Sequence, residues 1–184
     1  MNSKPLTLRA RQLRTVSPLP EVVGKLPRHE LYIIVEDVLD TYNVGAIFRV
    51  ADAVAAKKVY LCGRTLTPPN SKIKHASVNT WQWVPWEHKE TAAQAIADVR
   101  SSAHDICVIA IEQDEKSVPY DQLTYTLPTA LVVGNETRGV SNETRQLVDQ
   151  IAELTMYGVN ASVNVIAALA AVAFHVISKT TRVD

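Results

Sequence analysis

Short apolar runs alternate with segments of helical periodicity along this chain, and this order restricts the fold more than any other feature. The runs that predict strands are residues 31–37, 58–63, 80–86, 106–112, 129–136 and 151–156. The segments that predict helices are residues 43–56, 91–103, 141–150 and 162–178, whereas residues 65–77 are loop-like. Strands that are apolar throughout are typical of a parallel sheet with helices on both faces. We therefore predict an α/β fold with a mostly parallel sheet, which binds its ligands at the carboxyl ends of the strands.

Charge is distributed unevenly along the chain although the net charge is zero. Residues 1–74 contain 12 Lys and Arg against 6 Asp and Glu, whereas residues 75–184 contain 7 against 13. We interpret residues 1–28 as a basic N-terminal arm, with a short helix at residues 8–15, on a domain that spans residues 29–184. A basic arm favours an anionic partner such as nucleic acid, and a solvated terminus explains the same charges equally well.

The composition argues against a metal site and a membrane span. The two cysteines, Cys62 and Cys107, are far apart, and none of the five histidines forms a pair with metal-ligand spacing. The N-terminus has no apolar stretch typical of a signal peptide. The uncharged segment 161–178 is short for a membrane span and contains polar residues. We expect a cytoplasmic protein with no metal and no membrane contact.

The first candidate site segment is NVGAIFR, which starts at Asn43. Asn43 lies at a strand-to-helix turn, where its side chain is able to cap the helix. Arg49 shares a helix face with Gly45, and its guanidinium could reach the strand ends and bind an anion such as phosphate. An ion pair of Arg49 with Asp52 or Glu36 is an equally good explanation.

Two further segments also follow predicted strands. GNETRGVS, which starts at Gly134, resembles a phosphate-binding loop but lacks the Lys of that motif. Its backbone amides could hold a ligand, and Glu136 favours a cationic or hydroxyl-rich one, but a surface turn with a Glu136–Arg138 ion pair is the alternative. In LTMYGVNASVNV, Ser162 and Asn164 flank a helix start, which alone is a capping pattern.

Taken together, the three segments resemble a known family. Asn-x-Gly-x-x-x-Arg, Gly-x-Glu-x-x-Gly-x-Ser and Met-x-Gly-x-x-x-Ser-x-Asn-Val, in this order, resemble the motifs of the SpoU (TrmH-like) branch of the SPOUT RNA methyltransferases, over residues 31–177. The resemblance implies a C-terminal deep trefoil knot and a homodimer whose active site is shared across the interface. It also implies methyl transfer from S-adenosylmethionine to a ribose 2′-hydroxyl of tRNA or rRNA.

The resemblance also assigns roles to individual residues. Arg49 takes the catalytic position, with Asn43 nearby, and we expect its guanidinium to bind the substrate phosphate and to stabilise the developing alkoxide. The residues that would support the site are Glu136, Ser162 and Asn164. The residues that would contact the methyl donor are Gly134, Leu154, Val163 and, more weakly, Ile111. Thr137 departs from the family pattern, in which a Gly commonly follows the Glu.

Residues outside the three motifs could contact RNA, and a function other than catalysis is also open. The RNA would meet the basic arm and a loop that contains Lys72, Lys74 and His75, which would supply the phosphate contacts. Three tryptophans, Trp81, Trp83 and Trp86, could stack on bases, although core or interface packing is the simpler explanation. The alternative function is a non-catalytic RNA-binding or assembly protein on a knotted scaffold. A nucleotide phosphotransferase is disfavoured because the P-loop Lys and a paired Asp for magnesium are missing.

Overall fold

Seven strands form one parallel sheet in the computed structural model, which describes residues 12, 18 and 20–180. In chain order the strands are β1 (His29–Glu36), β2 (Ala56–Cys62), β3 (Trp86–Lys89), β4 (Cys107–Ile111), β5 (Val118–Pro119), β6 (Thr129–Val133) and β7 (Gln150–Glu153). Their order across the sheet is β3-β2-β1-β6-β4-β7-β5, and every neighbouring pair is parallel. The predicted parallel sheet is confirmed, whereas the trefoil knot stays a prediction.

Helices cover both faces of the sheet, as predicted. In the described part of the chain they are α1 (Pro20–Val23), α2 (Thr41–Ala53), α3 (Ser71–Ser77), α4 (Ala92–Ser102), α5 (Asn142–Arg145) and α6 (Val165–Thr180). One apolar core contains Ile33 of β1 together with side chains of α2 and α6. The other core contains the next residue, Ile34, together with side chains of α4. Successive residues of a strand point to opposite faces, so β1 contributes to both cores.

The segment of residues 65–77, predicted as a loop, contains helix α3. The side chain of its N-cap residue, Asn70, accepts hydrogen bonds from the amides of Lys72 and Ile73. Only Ile73 and Ser77 of this helix are buried, so an apolar periodicity was too weak to be seen in the sequence. The prediction was wrong because prolines and polar residues dominate the segment.

The prediction of a strand at residues 80–86 was also wrong. A 3₁₀ turn occupies Thr80–Gln82, and β3 starts only at Trp86. The indole nitrogen of Trp83 donates a hydrogen bond to Asp52 on α2 at 2.7 Å. All three tryptophans of this region pack, partly buried, against the core that contains α2. Their alternation with polar residues therefore reflects packing of a turn against a helix, and it supports the core-packing explanation over base stacking.

Smaller differences concern short elements and the N-terminus. The helix predicted at residues 141–150 is confined to α5, and β5 had no predicted counterpart. The helix predicted at residues 8–15 lies outside the described residues except for residue 12. Arg28, the last residue of the predicted basic arm, donates hydrogen bonds to the carbonyl oxygens of Ala56 and Trp83, so this end of the arm is fixed to the domain. No helix among the described residues is long and apolar enough to cross a membrane.

Gly45 allows α2 and α3 to approach closely. A Cβ atom added at Gly45 would lie 2.5 Å from the Cβ of Ala76 and 2.9 Å from the carbonyl oxygen of Ile73. Backbone of α3 would have to move to make room, because the carbonyl group cannot rotate away as a side chain can. The face of α2 at Gly45 is therefore covered by α3.

We predict that Gly45→Ala lowers the free energy of unfolding by about 1–3 kcal/mol through this overpacking, although Ala is the better helix former. Urea denaturation monitored by tryptophan fluorescence measures the change. Gly158→Ala is the matched control, because nothing lies within 4 Å of a Cβ added at Gly158, and it should change stability by less than about 0.5 kcal/mol. Equal effects of the two substitutions would contradict the close helix contact.

Candidate active site

Side chains from all three predicted site segments are joined by hydrogen bonds. The Oε1 atom of Glu136 accepts a hydrogen bond from the Nδ2 atom of Asn43 at 3.0 Å. The Oδ1 atom of Asn43 in turn accepts one from the Nδ2 atom of Asn164 at 3.2 Å. These residues follow β1, β6 and β7, and the carboxyl ends of parallel strands lie at the same edge of the sheet. The sheet therefore brings together three segments that are far apart in the sequence.

Glu136 also binds the backbone that leads into α2. Its carboxylate accepts hydrogen bonds from the amide of Leu39 at 3.2 Å and from the amide of Asp40 at 3.0 Å. Burial favours a higher pKa for Glu136, but the hydrogen bonds from Asn43 and from backbone amides outweigh it, so the pKa lies below its ordinary value of 4.5. The carboxylate is therefore ionised at neutral pH, and both of its oxygens are hydrogen-bonded inside the protein.

The GNETRGVS loop is held in one conformation by its own polar groups. The amide and carbonyl groups of Asn135 and Gly139 hydrogen-bond to each other across the loop at 2.8 and 3.0 Å. The side chain of Asn135 accepts hydrogen bonds from the amides of Thr137 and Arg138, and donates one to the carbonyl oxygen of Asp37 at 2.8 Å. The loop is therefore tied both to itself and to the segment that follows β1.

Steric constraints explain why glycine occupies two positions of this loop. A Cβ atom at Gly134 would lie 2.2 Å from the backbone of Gly139. Gly139 has a φ of 67°, which disfavours other residues, and a Cβ there would overlap the carboxylate of Glu112. That carboxylate accepts a hydrogen bond from the amide of Val140 at 2.7 Å. The glycines therefore allow a tight loop closure and do not by themselves form a phosphate site.

A cavity of about 510 Å³ lies between the GNETRGVS loop and the segment before α6. All four predicted donor contacts line it, namely Ile111, Gly134, Leu154 and Val163. The predicted supporting residues Glu136, Ser162 and Asn164 line it as well. Its volume lies in the range of small-molecule sites. None of the described residues that line it is a Lys, and no cluster of possible metal ligands occurs among the described residues.

Arg49 lies outside this cavity. It is exposed on α2, and the structure records no hydrogen bond or ion pair of its side chain with the other described residues. The two partners considered from the sequence are occupied elsewhere, because Asp52 accepts a hydrogen bond from Trp83 and Glu36 accepts hydrogen bonds from Ser141 and Thr144. Asn43, by contrast, is buried at the first turn of the same helix. The structure thus joins Asn43 to the candidate site and leaves Arg49 exposed.

The glutamate and arginine of the GNETRGVS loop do not pair with each other. Hydrogen bonds from Asn43, Leu39 and Asp40 satisfy the Glu136 carboxylate, and the ion pairs recorded among the described residues include none between Glu136 and Arg138. The ion pair considered for this loop is therefore wrong, although residues 136–138 are exposed as in a surface turn.

A comparison with protein families agrees with this arrangement. The profile of the SpoU rRNA methylase family matches residues 30–174, from β1 into α6. The chain belongs to the SpoU rRNA methylase family. Membership confirms the family predicted from the three motifs, and the matched residues include every candidate site residue.

Two related methyltransferases match most of this chain, and the match covers only part of their own length. The tRNA (guanosine(18)-2′-O)-methyltransferase of Aquifex aeolicus is 30% identical over 80% of this chain and 68% of that protein. The Escherichia coli (strain K12) protein of the same name is 28% identical over 79% of this chain and 62% of that protein. The match thus covers about two thirds of each relative's length.

Solved structures of this family have the same fold. The A. aeolicus TrmH/SpoU tRNA modifying enzyme superimposes with a TM-score of 0.75 at 25% identity, over 92% of this chain and 81% of that chain. The SpoU methyltransferase AviRb from Streptomyces viridochromogenes, solved in complex with the cofactor AdoMet, gives a TM-score of 0.76 at 23% identity, over 84% of this chain and 62% of that chain.

Two acidic residues and one amide of this family member were not predicted from the sequence. Glu112 fixes the loop at Val140 and lines the cavity, and Glu36 accepts hydrogen bonds from the hydroxyl groups that begin α5. Both acids directly end or follow a buried strand, which is the signal that could have identified them. Asn135 was visible only as an unspecified residue within the loop motif.

We predict that Glu136→Gln destabilises the protein at pH 7 and that this difference disappears in acid. The lowered pKa means that the folded state favours the ionised carboxylate. This stabilisation is present above pH 4.5 and is lost as the pH falls through the folded-state pKa. Urea denaturation of wild type and variant at pH 7 and at about pH 3 measures the difference.

Glu143→Gln is the control for Glu136→Gln. Glu143 is exposed on α5, and no hydrogen bond or ion pair of its side chain is recorded among the described residues. It should leave stability nearly unchanged at both pH values. A Glu136→Gln effect that is equally large in acid would show that the lost charge is not its cause.

Proposed function

We propose that this protein transfers a methyl group from S-adenosylmethionine to a ribose 2′-hydroxyl of tRNA or rRNA. The observation that carries the proposal is the hydrogen-bonded series Asn43, Glu136 and Asn164, two of which line a cavity of suitable size. The names of the A. aeolicus and E. coli relatives, which are tRNA 2′-O-methyltransferases, support the same reaction. A cytoplasmic location, where these RNAs are found, is part of the proposal.

The cavity suits S-adenosylmethionine chemically. Apolar side chains of Ile111, Leu154 and Val163 offer a surface for an adenine ring. The donor carries cationic groups and no phosphate, so carboxylates at Glu112 and Glu136 are compatible with it and a Lys is not needed. Backbone groups of the loop that starts at Gly134 can take the remaining polar contacts. When bound, the donor supplies an electrophilic methyl group on its sulfonium.

The residues of the chain then have to position the acceptor and promote loss of its proton. Positioning is the task of the hydrogen-bonded loops, because Glu136 fixes the start of α2 and Asn164 fixes the start of α6, where its Oδ1 atom accepts a hydrogen bond from the amide of Ile166 at 2.8 Å. A guanidinium offers hydrogen-bond donors and no acceptor. Arg49 therefore binds a substrate phosphate and stabilises the alkoxide that develops at the ribose oxygen as the proton passes to solvent. The new bond from the methyl carbon to this oxygen would replace the bond to sulfur and leave S-adenosylhomocysteine.

Because Arg49 lies outside the cavity of its own chain, the proposal includes a homodimer that places it at a shared site. The surface around the third motif supports a partner. Tyr157 is 94% exposed, Val159 is fully exposed and Phe174 of α6 is 52% exposed, and α6 carries no charged residue before Lys179. Tyr157 and Val159 are only two residues apart, and apolar side chains exposed at neighbouring positions can form an interaction site.

We predict that Arg49→Lys reduces turnover on RNA by about 100-fold or more and leaves S-adenosylmethionine binding unchanged. A Lys keeps the charge but loses the planar two-point contact with phosphate and oxyanion. Methyl incorporation into bulk RNA measures turnover, and calorimetry measures donor affinity. Arg100→Lys on α4, on the other face of the sheet, is the control and should retain activity. Near-normal turnover of Arg49→Lys would refute its catalytic role.

The alternative, a non-catalytic RNA-binding or assembly protein, makes a different prediction for the donor. A methyltransferase must bind S-adenosylmethionine, either alone or together with RNA. Isothermal titration calorimetry, without and with RNA, measures this binding. No binding at millimolar donor, by a protein that still binds RNA, would favour the scaffold.

Basic residues outside the cavity are proposed to contribute to RNA binding. Lys72, Lys74 and His75 are exposed on α3, and further basic residues precede α1. Removal of residues 1–19 leaves Arg28 and its contacts with the domain in place. We expect this deletion to lower the affinity for RNA more than the affinity for the donor. It should also reduce the salt dependence of RNA binding. Equal losses of both affinities would contradict the role of the arm.

A further inference from the structure

A second cavity, also of about 510 Å³, borders the GNETRGVS loop. Four consecutive residues, Asn135 to Arg138, line both this cavity and the proposed donor cavity. The second cavity is completed by Leu39, Asp40, Asn43 and Arg64. The two cavities are thus neighbours that share one wall, and Asn43 lines only the second. An acceptor group in the second cavity would lie next to a methyl donor in the first.

The two arginines of the second cavity are available to a ligand. Arg138 is exposed, and no ion pair of its guanidinium is recorded among the described residues. Arg64 pairs with Asp37 at 3.5 Å, and its side chain is 58% exposed. A pair of this length and exposure contributes little stability. Neither guanidinium is committed to a buried partner.

The carboxylates of the same cavity are committed, in contrast. Glu136 accepts hydrogen bonds from two backbone amides and from Asn43. Asp40 is the N-cap of α2, and its side chain accepts a hydrogen bond from the amide of Tyr42 at 2.8 Å. Amide donors and the positive end of a helix offset these negative charges. The charged hydrogen-bond donors that remain free in this cavity are the guanidinium groups of Arg64 and Arg138, and this favours an anionic ligand.

We propose that the second cavity binds an RNA phosphodiester beside the methylated ribose, with Arg64 and Arg138 as its phosphate-binding residues. The inference rests on the proposed function and names part of its substrate site. A guanidinium offers two parallel N–H groups to phosphate oxygens. The arrangement gives a reason for Arg138 in a loop whose other ligand has no phosphate: the residue serves the acceptor and not the donor.

The test compares Arg64→Gln, Arg138→Gln and the double variant with wild type. Filter binding of bulk tRNA between 50 and 200 mM salt gives affinity and its salt slope, and calorimetry gives S-adenosylmethionine affinity. We expect each single variant to lose about five- to tenfold in RNA affinity at low salt and to reduce the slope of log K against log salt by about 0.7–0.9. The affinity of each variant for S-adenosylmethionine should stay within about twofold of the wild-type value. A difference of this size is smaller than the loss of an ion pair with the donor would cause.

Two further sets of variants control for charge and folding. Lys57→Gln removes one positive charge at the amino end of β2, whereas Arg64 follows the carboxyl end of that strand; Lys57 is exposed and pairs with Glu30. It should leave RNA affinity within about twofold. Arg64→Lys and Arg138→Lys keep the charge, so they should retain the wild-type salt slope and lose only part of the affinity. These variants keep the test valid if a Gln variant does not fold.

The outcomes separate this inference from the proposed function. Wild-type RNA affinity and salt slope in both Gln variants, in a protein that methylates RNA, would overturn the phosphate site and leave the proposed function intact. Loss of donor affinity without loss of RNA affinity in Arg138→Gln would assign that residue to the donor carboxylate, and would equally overturn it. A wild-type protein that neither binds nor methylates RNA would overturn both.

Discussion

The candidate site depends on the hydrogen bonds that the carboxylate of Glu136 accepts. This carboxylate accepts hydrogen bonds from the backbone before α2 and from Asn43, and Asn43 accepts one from Asn164. Three segments that follow three different strands are held together in this way. A carboxylate with both oxygens bonded to amide donors has a preference for one position, because hydrogen bonds to a charged group are stronger than those between neutral groups.

The surrounding structure makes this position possible. Parallel pairing of β1 with β6 places the start of α2 beside the GNETRGVS loop, and Glu112 fixes the other end of that loop through the amide of Val140. Gly134 allows the loop to close on itself, because any side chain there would meet the backbone of Gly139. Two cavities result, one on each side of a rigid loop. A site that must align a methyl donor with a ribose hydroxyl benefits from such rigidity.

Strand and site identity could be predicted from the sequence because each depended on local pattern or on motif resemblance. The buried runs of β1, β2, β4 and β6 are mostly apolar, and the parallel sheet was predicted from such runs. Helix α3 could not be seen, since it buries only two side chains. The tryptophans near residue 83 alternate like a strand, but their partner is Asp52 on α2, and a contact over such a sequence separation leaves no local signal.

The contacts within the site were less predictable than its members. Asn43, Glu136 and Asn164 were recognised through the spacing of the motifs, whereas the hydrogen bonds between them depend on the register of the sheet and on side-chain rotamers. The exposed position of Arg49, outside the cavity, was likewise not predicted from the sequence.

The function proposed for this site is methyl transfer to a ribose oxygen. The decisive test is incubation of the protein with unmodified total tRNA and rRNA and methyl-labelled S-adenosylmethionine, followed by nuclease digestion and nucleoside analysis. We expect label in 2′-O-methylated nucleosides, with the label lost in Arg49→Lys. Label on a base, with none on ribose, would contradict the proposed function.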